Sequence, residues 1–163
     1  MTHSLIFDRR VPSLAATAIL AGEVADLLRP GDIIALGGTL GAGKTAFARA
    51  LVRHLAQEEI DVPSPTYNLL LTYDFDDFCL YHYDLYRLET PEDAFELDID
   101  EAFNTGVSLI EWPDRLGKYL PAGHLLIEIT SEEGASEEAR IIRFYGNASW
   151  KQRLTALSGA YDA

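Results

Sequence analysis

The stretch "GGTLGAGKTAFARAL", residues 37–51, decides how this chain folds. The apolar run "DIIALG" at 32–37 precedes the glycines and predicts a short strand buried on both faces. Residues 45–57 follow with the apolar spacing of a helix. Between strand and helix, the phosphate-binding pattern G-x-x-x-x-G-K-[ST] is met without departure by Gly38, Gly43, Lys44 and Thr45.

The glycines of this loop predict that a ligand approaches the backbone more closely than a Cβ would allow. Such a loop turns successive N–H groups inward to form an anion-binding nest, and the following helix adds its N-terminal N–H donors. Lys44 would place a charge on the β- and γ-phosphates of a nucleotide, and the Thr45 hydroxyl would ligate Mg²⁺. The alternative is a glycine-rich turn that binds nothing.

Further elements extend this strand–loop–helix unit into an α/β fold. An antiparallel hairpin is predicted over 68–86, and a mobile acidic turn over 131–139. The other predicted helices are 13–29, 91–103, 113–120 and 150–157, and the other predicted strands are 107–112, 124–130 and 140–146. Together they predict a P-loop NTPase-like fold of three layers, with a central mixed sheet flanked by helices, as one ATPase domain over 1–163.

Composition narrows the classes of partner and location. The chain has 163 residues, of which 48% are hydrophobic, and a formal net charge of −13. Because it shows no cluster of Lys and Arg, we expect no direct tight binding to nucleic acid. The single cysteine, Cys79, cannot form an internal disulfide, and no apolar run approaches the roughly 20 residues that cross a bilayer. The first ten residues are too polar for a secretory signal, so the expected location is cytoplasmic, without membrane association.

Two carboxylates are candidates for the metal side of a nucleotide site. Asp84 lies at the end of the second hairpin strand, and Glu111 follows the buried strand "VSLI". Ligands of open α/β sheets bind at this carboxyl edge of the strands. The alternatives are a solvated Asp84 at a strand end and a Glu111 that pairs with Arg115, four residues on.

Other side chains near the predicted site allow two interpretations each. Thr66, in "SPTY", either reaches the γ-phosphate or Mg²⁺ or caps a turn after Pro65. Trp112 either shields the site or packs in the core, and core packing is the commoner fate of a lone tryptophan. His82 and His124 have no partner at metal-ligand spacing, so we interpret them as ordinary sheet residues.

Four segments together resemble the TsaE (YjeE) family of small bacterial P-loop ATPases: "GTLGAGKT", "SPTYNLL", "HYDLYRLE" and "LIEWPDRL". The resemblance extends from Thr17 to Leu116. It implies ATP and Mg²⁺ as cofactors and weak ATP hydrolysis by the isolated protein. It also implies a requirement in the formation of threonylcarbamoyladenosine in tRNA, with the TsaD–TsaB protein complex as the partner.

The resemblance further implies roles for particular residues. Thr45 and Glu111 match the family's Mg²⁺-ligand positions, and Asp84 matches an acid near the metal that binds it directly or through water. Together with Lys44 and Thr66, Asp84 completes the set of candidate catalytic residues. The phosphate loop corresponds to Thr39, Leu40, Gly41, Ala42, Gly43, Lys44 and Thr45.

The remaining cofactor contacts are Thr17, for the base or ribose, and Trp112. This chain departs from the family at two places, with Thr39 where an Asp is common and Ala21 where a Gly is common. Neither departure removes the backbone nest. The chain after about residue 120 matches the family poorly, and Arg140 either closes over the nucleotide or pairs with the Glu-rich turn.

Two other classes of function remain open from the sequence. A small-molecule P-loop kinase usually presents several arginines around the transferred phosphate. After the predicted loop helix this chain has only scattered ones, namely Arg87, Arg115, Arg140, Arg143 and Arg153. The other alternative is a non-catalytic nucleotide switch in which binding alone drives assembly.

Overall fold

The computed structural model describes residues 3–39, 41 and 43–157. These residues form a seven-stranded mixed sheet. Its strands are β1 (Ser4–Val11), β2 (Ile33–Gly37), β3 (Leu70–Asp74), β4 (Cys79–Asp84), β5 (Val107–Glu111), β6 (Leu125–Ser131) and β7 (Arg140–Gly146).

The helices lie in the connections between these strands, except for the last one, which follows β7. They are α1 (Leu14–Ala25), α2 (Lys44–Ala56), α3 (Ile99–Thr105) and α4 (Ala148–Arg153), with 3₁₀ segments at Pro91–Leu97 and Pro113–Tyr119. The predicted cap of α1 is confirmed, because the Ser13 hydroxyl accepts a hydrogen bond from the Ala16 amide at 3.1 Å. This helix ends at Ala25, earlier than predicted.

The order of the strands places β2 at the centre of the sheet, between β6 and β5. The order is β1-β7-β6-β2-β5-β4-β3, and β2 runs parallel to both β5 and β6. Strand β4 is parallel to β5, and the register sets Asp84 beside Glu111 and Glu111 beside Leu36. Both acidic residues therefore end their strands next to the loop that leaves β2, as the open α/β rule anticipates.

Two apolar clusters cover the two faces of the sheet. One joins Ile34 and Leu36 of β2 to α1 and α2, while the other joins Ile33 to Tyr81, Tyr83 and the 3₁₀ segments. Alternate residues of a strand point to opposite faces, so the helices form layers above and below the sheet. The predicted three-layer α/β fold is confirmed.

The structure adds one strand that the sequence analysis did not predict. β1 pairs antiparallel with β7 at the edge of the sheet, and most of its residues are exposed or half-buried. The residues after β6, predicted as a turn, lie against this end of the fold: the Ser136 hydroxyl donates to the Pro12 carbonyl, and Glu138 accepts from the Leu14 amide. Within the described ranges, every helix is too short or too polar to cross a membrane.

Candidate nucleotide-binding site

The loop between β2 and α2 has the backbone shape of a phosphate cradle. Gly38, Gly41 and Gly43 have φ angles of 135°, 81° and 112°, a region that side chains disfavour. α2 begins at Lys44, directly after Gly43, and no side chain caps its first turn. Its first N–H groups are thus available to an anion. The predicted contacts of Leu40 and Ala42 lie outside the described residues.

Lys44 turns back over this loop. Its side chain is 5% exposed, and Nζ donates to the Gly38 carbonyl at 2.8 Å and lies 3.5 Å from the centre of the Trp112 ring. Burial lowers the pKa of the Lys44 ammonium, and the charges of Glu111, Asp84 and Asp114 oppose that shift. The loop and the indole ring therefore hold one cation in place at the mouth of the nest.

A chain of hydrogen bonds fixes the carboxylate of Glu111. The Thr45 hydroxyl donates to Oε1 at 3.0 Å, and Nε2 of His82 lies 2.7 Å from Oε2. Glu111 is 2% exposed and His82 is fully buried. Arg115, the partner of Glu111 in the alternative interpretation, lies beside the Tyr86 ring instead. Trp112, which lies between the two in sequence, has a left-handed backbone, with φ of 60°.

A second chain of hydrogen bonds fixes Asp84. The Thr66 hydroxyl donates to Oδ2 at 2.9 Å, the Tyr86 amide donates to Oδ1 at 3.1 Å, and the Ser64 hydroxyl lies 2.7 Å from that of Thr66. Asp84 is buried, so the alternative of a solvated acid is wrong. The "SPTY" segment is thereby tied to the end of β4.

These groups line one cavity of about 240 Å³. Residues 41 and 43–46 form one wall, and Thr66, Asp84, Glu111 and Trp112 form the other. Trp112 is half-buried and borders the cavity while it also touches the second apolar cluster, so both interpretations of it hold in part. The lining holds one ammonium and two carboxylates among its described residues, so a bound polyphosphate would leave the cavity with excess negative charge unless a cation accompanied it.

The oxygen donors of the cavity fit Mg²⁺. This ion keeps several waters and is bound by one or two carboxylates plus substrate phosphates, so it does not need a cage of protein ligands. In agreement, no group of three His, Cys, Asp or Glu side chains within residues 3–39, 41 and 43–157 could hold a metal alone. Thr45 and Glu111, with Asp84 beside them, are the groups that would hold it.

Two predicted cofactor contacts lie away from this lining. Thr39 is exposed on the loop, and Thr17 is buried in α1. The Thr17 hydroxyl has no hydrogen-bond partner among the residues that the structure describes. Their contact with a nucleotide stays a prediction.

His82 is the residue of this site that sequence analysis did not identify. We had expected an ordinary sheet histidine, yet its ring reaches the carboxylate that is the candidate metal ligand. The signal available in the sequence was its position two residues before Asp84, because residues i and i+2 of a strand share a face. His82 thereby holds the Glu111 carboxylate in place at the end of β5.

Replacing His82 by alanine is expected to lower the free energy of unfolding by about 1–3 kcal/mol, because it leaves the buried Glu111 carboxylate without one of its partners. His54→Ala is the matched control. It removes a histidine–carboxylate pair with Asp26 at the surface, where the side chains are 43% and 69% exposed, and should cost below about 1 kcal/mol. Urea denaturation measures both, and equal losses would mean that the buried pair has no special role.

The fold and the site together define an α/β protein of the P-loop class: a phosphate loop follows the central parallel strand β2, and carboxylates end the next two strands on one side of it, β5 and β4. The sequence profile described as threonylcarbamoyl adenosine biosynthesis protein TsaE matches residues 11–142. The chain belongs to the TsaE family. The predicted family resemblance is thus confirmed.

Individual relatives agree with this family. A Rickettsia felis protein named tRNA threonylcarbamoyladenosine biosynthesis protein TsaE is 43% identical over 133 residues, which are 82% of this chain and 76% of the relative. A Bacillus subtilis protein of the same name is 36% identical over 129 residues, 78% of each chain. A crystal structure of Bacillus subtilis YdiB superposes with a TM-score of 0.74 at 26% identity and covers 100% of this chain and 99% of its own.

Proposed function

We propose that this protein is a slow, Mg²⁺-dependent ATPase that acts in the threonylcarbamoyladenosine modification of tRNA together with the TsaD–TsaB complex. The observation that carries the proposal is the single cavity into which Lys44, Thr45, Glu111, Asp84 and Thr66 converge. The names of the Rickettsia felis and Bacillus subtilis relatives suggest the modification of tRNA with threonylcarbamoyladenosine. We propose further that the chain acts as one ATPase domain, in the cytoplasm where tRNA is modified.

The residues of the cavity divide the work of binding ATP. The backbone nest and Lys44 would bind the β- and γ-phosphates, and Thr45 and Glu111 would hold Mg²⁺. When bound, Mg²⁺ supplies the positive charge that offsets the phosphates and the two carboxylates. Asp84 would orient water at the γ-phosphate, with Thr66 holding its carboxylate in place.

The proposed ATPase is slow in isolation because the cavity lacks an arginine. Phosphoryl transfer gains most from a cation placed on the developing charge, often a guanidinium. None of the described residues that line the cavity is an arginine. Arg87, which follows the β4 end, stacks on the ring of Tyr67, whose side chain is 80% exposed. We propose that docking of the partner complex orders this Arg87–Tyr67 surface and completes the site.

Charge favours protein partners over direct contact with tRNA. A chain of net charge −13 repels phosphates within a Debye length of about 8 Å in physiological salt. The small-molecule kinase is disfavoured by the same absence of arginines from the described cavity lining. The nucleotide switch would bind ATP without turning it over.

ATP turnover with TsaD–TsaB, with tRNA alone and with neither tests the proposal. We expect strong stimulation by the protein partners and none by tRNA alone. Arg87→Ala should lose that stimulation while its affinity for ATP is preserved, because Arg87 lies outside the cavity lining. Arg29→Ala, a change at an exposed arginine after α1, is the control and should be stimulated normally.

Two results would contradict this proposal. Stimulation by tRNA alone, without any from TsaD–TsaB, would reverse the assignment of partners. If a single-turnover experiment with the partners present showed no ATP hydrolysis, the protein would be a nucleotide switch and not an ATPase.

A further inference from the structure

The direction in which a nucleotide crosses the phosphate loop follows from the sheet order. The candidate metal ligands end β5 and β4, on one side of β2. Thr45 and Glu111 would hold Mg²⁺ there, where its charge would offset that of the β- and γ-phosphates, so these phosphates would lie on that side. The α-phosphate and the nucleoside must then leave the loop on the other side, where β6 and β7 lie.

Arg140 occupies this other side. It is the first residue of β7, which is antiparallel to β6, and it therefore lies at the same edge of the sheet as the phosphate loop. A Cβ placed on residue 43 would stand 3.5 Å from Nε of Arg140 and 3.7 Å from Cγ2 of Ile129. The guanidinium thus flanks Gly43, the residue directly before Lys44.

The β6–β7 connection fixes the guanidinium there. Nη1 of Arg140 donates to the carbonyl oxygens of Glu137 and Ala139, the latter at 2.8 Å. Two carboxylates of the same connection have other partners: Glu138 accepts from the Leu14 amide, and Oε1 of Glu132 lies 3.1 Å from Nε of Arg10. These two acids engage β1 and α1, while the Arg140 guanidinium lies beside Gly43 of the phosphate loop.

We propose that Arg140 binds the α-phosphate of the nucleotide. The proposal rests on the ATP-binding function proposed above and gives a ligand contact to the C-terminal part of the chain. A planar guanidinium donates to phosphate oxygens in a geometry that suits two parallel hydrogen bonds. Its Nε edge lies beside the loop glycine, on the side where the α-phosphate leaves the nest.

Dissociation constants for ATP, ADP and pyrophosphate, all with Mg²⁺, test this assignment. Pyrophosphate represents the β- and γ-positions only, since Mg²⁺ holds it at the metal side. Arg140→Ala should raise the dissociation constants of ATP and ADP by about 10-fold each, and that of pyrophosphate by less than about 2-fold. Arg140→Gln keeps an N–H donor for the carbonyl oxygens of Glu137 and Ala139 but carries no charge. It should show the same pattern of dissociation constants, and it replaces the alanine variant if that variant folds poorly.

Arg143→Ala is the matched control, because Arg143 lies on the same strand and contacts Thr130 and Glu128 instead of the loop. It should bind all three ligands like the wild type. Unchanged affinities in both Arg140 variants would overturn the assignment and leave the ATPase proposal standing. An equal loss of affinity for all three ligands would also overturn it, because it would show that Arg140 only supports the structure of the phosphate loop. A wild type that binds none of them would instead refute the ATPase proposal, and this assignment with it.

Discussion

Replacing Lys44 by alanine is expected to lower the affinity for ATP by about 100-fold or more. Lys44 is the cation of the cavity lining that the structure describes, and two carboxylates face it there. Without it, the backbone nest would hold the β- and γ-phosphates against Asp84 and Glu111 with Mg²⁺ as the remaining positive charge at that end of the nucleotide. Titration calorimetry with ATP and Mg²⁺ measures the loss.

The control for this variant is Lys151→Ala, which removes the same kind of charge from the exposed face of α4. It should bind ATP like the wild type, since a single charge at a distance is screened by salt. If Lys44→Ala kept wild-type affinity, the loop would not be a nucleotide site at all. The alternative interpretation of residues 37–45, a glycine-rich turn that binds nothing, would then be correct.

The second large effect is expected for Glu111→Gln. The amide keeps the size of the side chain but loses the charge that attracts Mg²⁺, so ATP turnover with the partners should fall by about 100-fold. ADP measured without Mg²⁺ should bind at least as well as to the wild type, because the backbone nest and Lys44 need no metal and the change removes a negative charge from the cavity. The difference between these two measurements separates a metal ligand from a structural residue.

Two further variants sharpen this test. Glu128→Gln, on β6 at the other side of β2, removes a half-exposed carboxylate that pairs with Arg143 and should leave turnover unchanged. Asp84→Asn should behave like Glu111→Gln, whether its carboxylate meets the metal directly or through water. Wild-type turnover in Glu111→Gln with the partners present would make Glu111 a structural residue.

Much of this fold is readable from local sequence patterns. The strand, loop and helix around Gly38 and Lys44 have strong signals, because glycine spacing, a buried apolar run and helical periodicity all coincide within one segment. The hairpin is equally local, since β3 and β4 are neighbours in sequence and in the sheet. Asp84 and Glu111 could be placed because each ends an apolar strand.

The features that escaped the sequence analysis depend on distant parts of the chain. β1 shows little periodicity and becomes a strand through its pairing with β7, near the other end of the sequence. His82 contacts Glu111 because β4 and β5 are parallel neighbours. No sequence pattern within either strand indicates the register in which the two strands pair. The place of Arg140 beside Gly43 likewise needs the order of β2, β6 and β7.

The pairing of β2 with β5 also connects nucleotide binding to folding. Leu36, near the end of β2, and Glu111 are neighbours in the sheet although a stretch of nearly half the length of the chain separates them in sequence. Such a non-local pairing is slow to form, because loop closure costs entropy before any contact compensates for it. A chain in which β2 and β5 had not yet paired would lack the complete cavity. ATP that binds only the finished cavity would stabilise the whole native state, by about 2.7 kcal/mol at 100 times its Kd. Nucleotide supply and the lifetime of the folded protein would in that way be coupled in the cell.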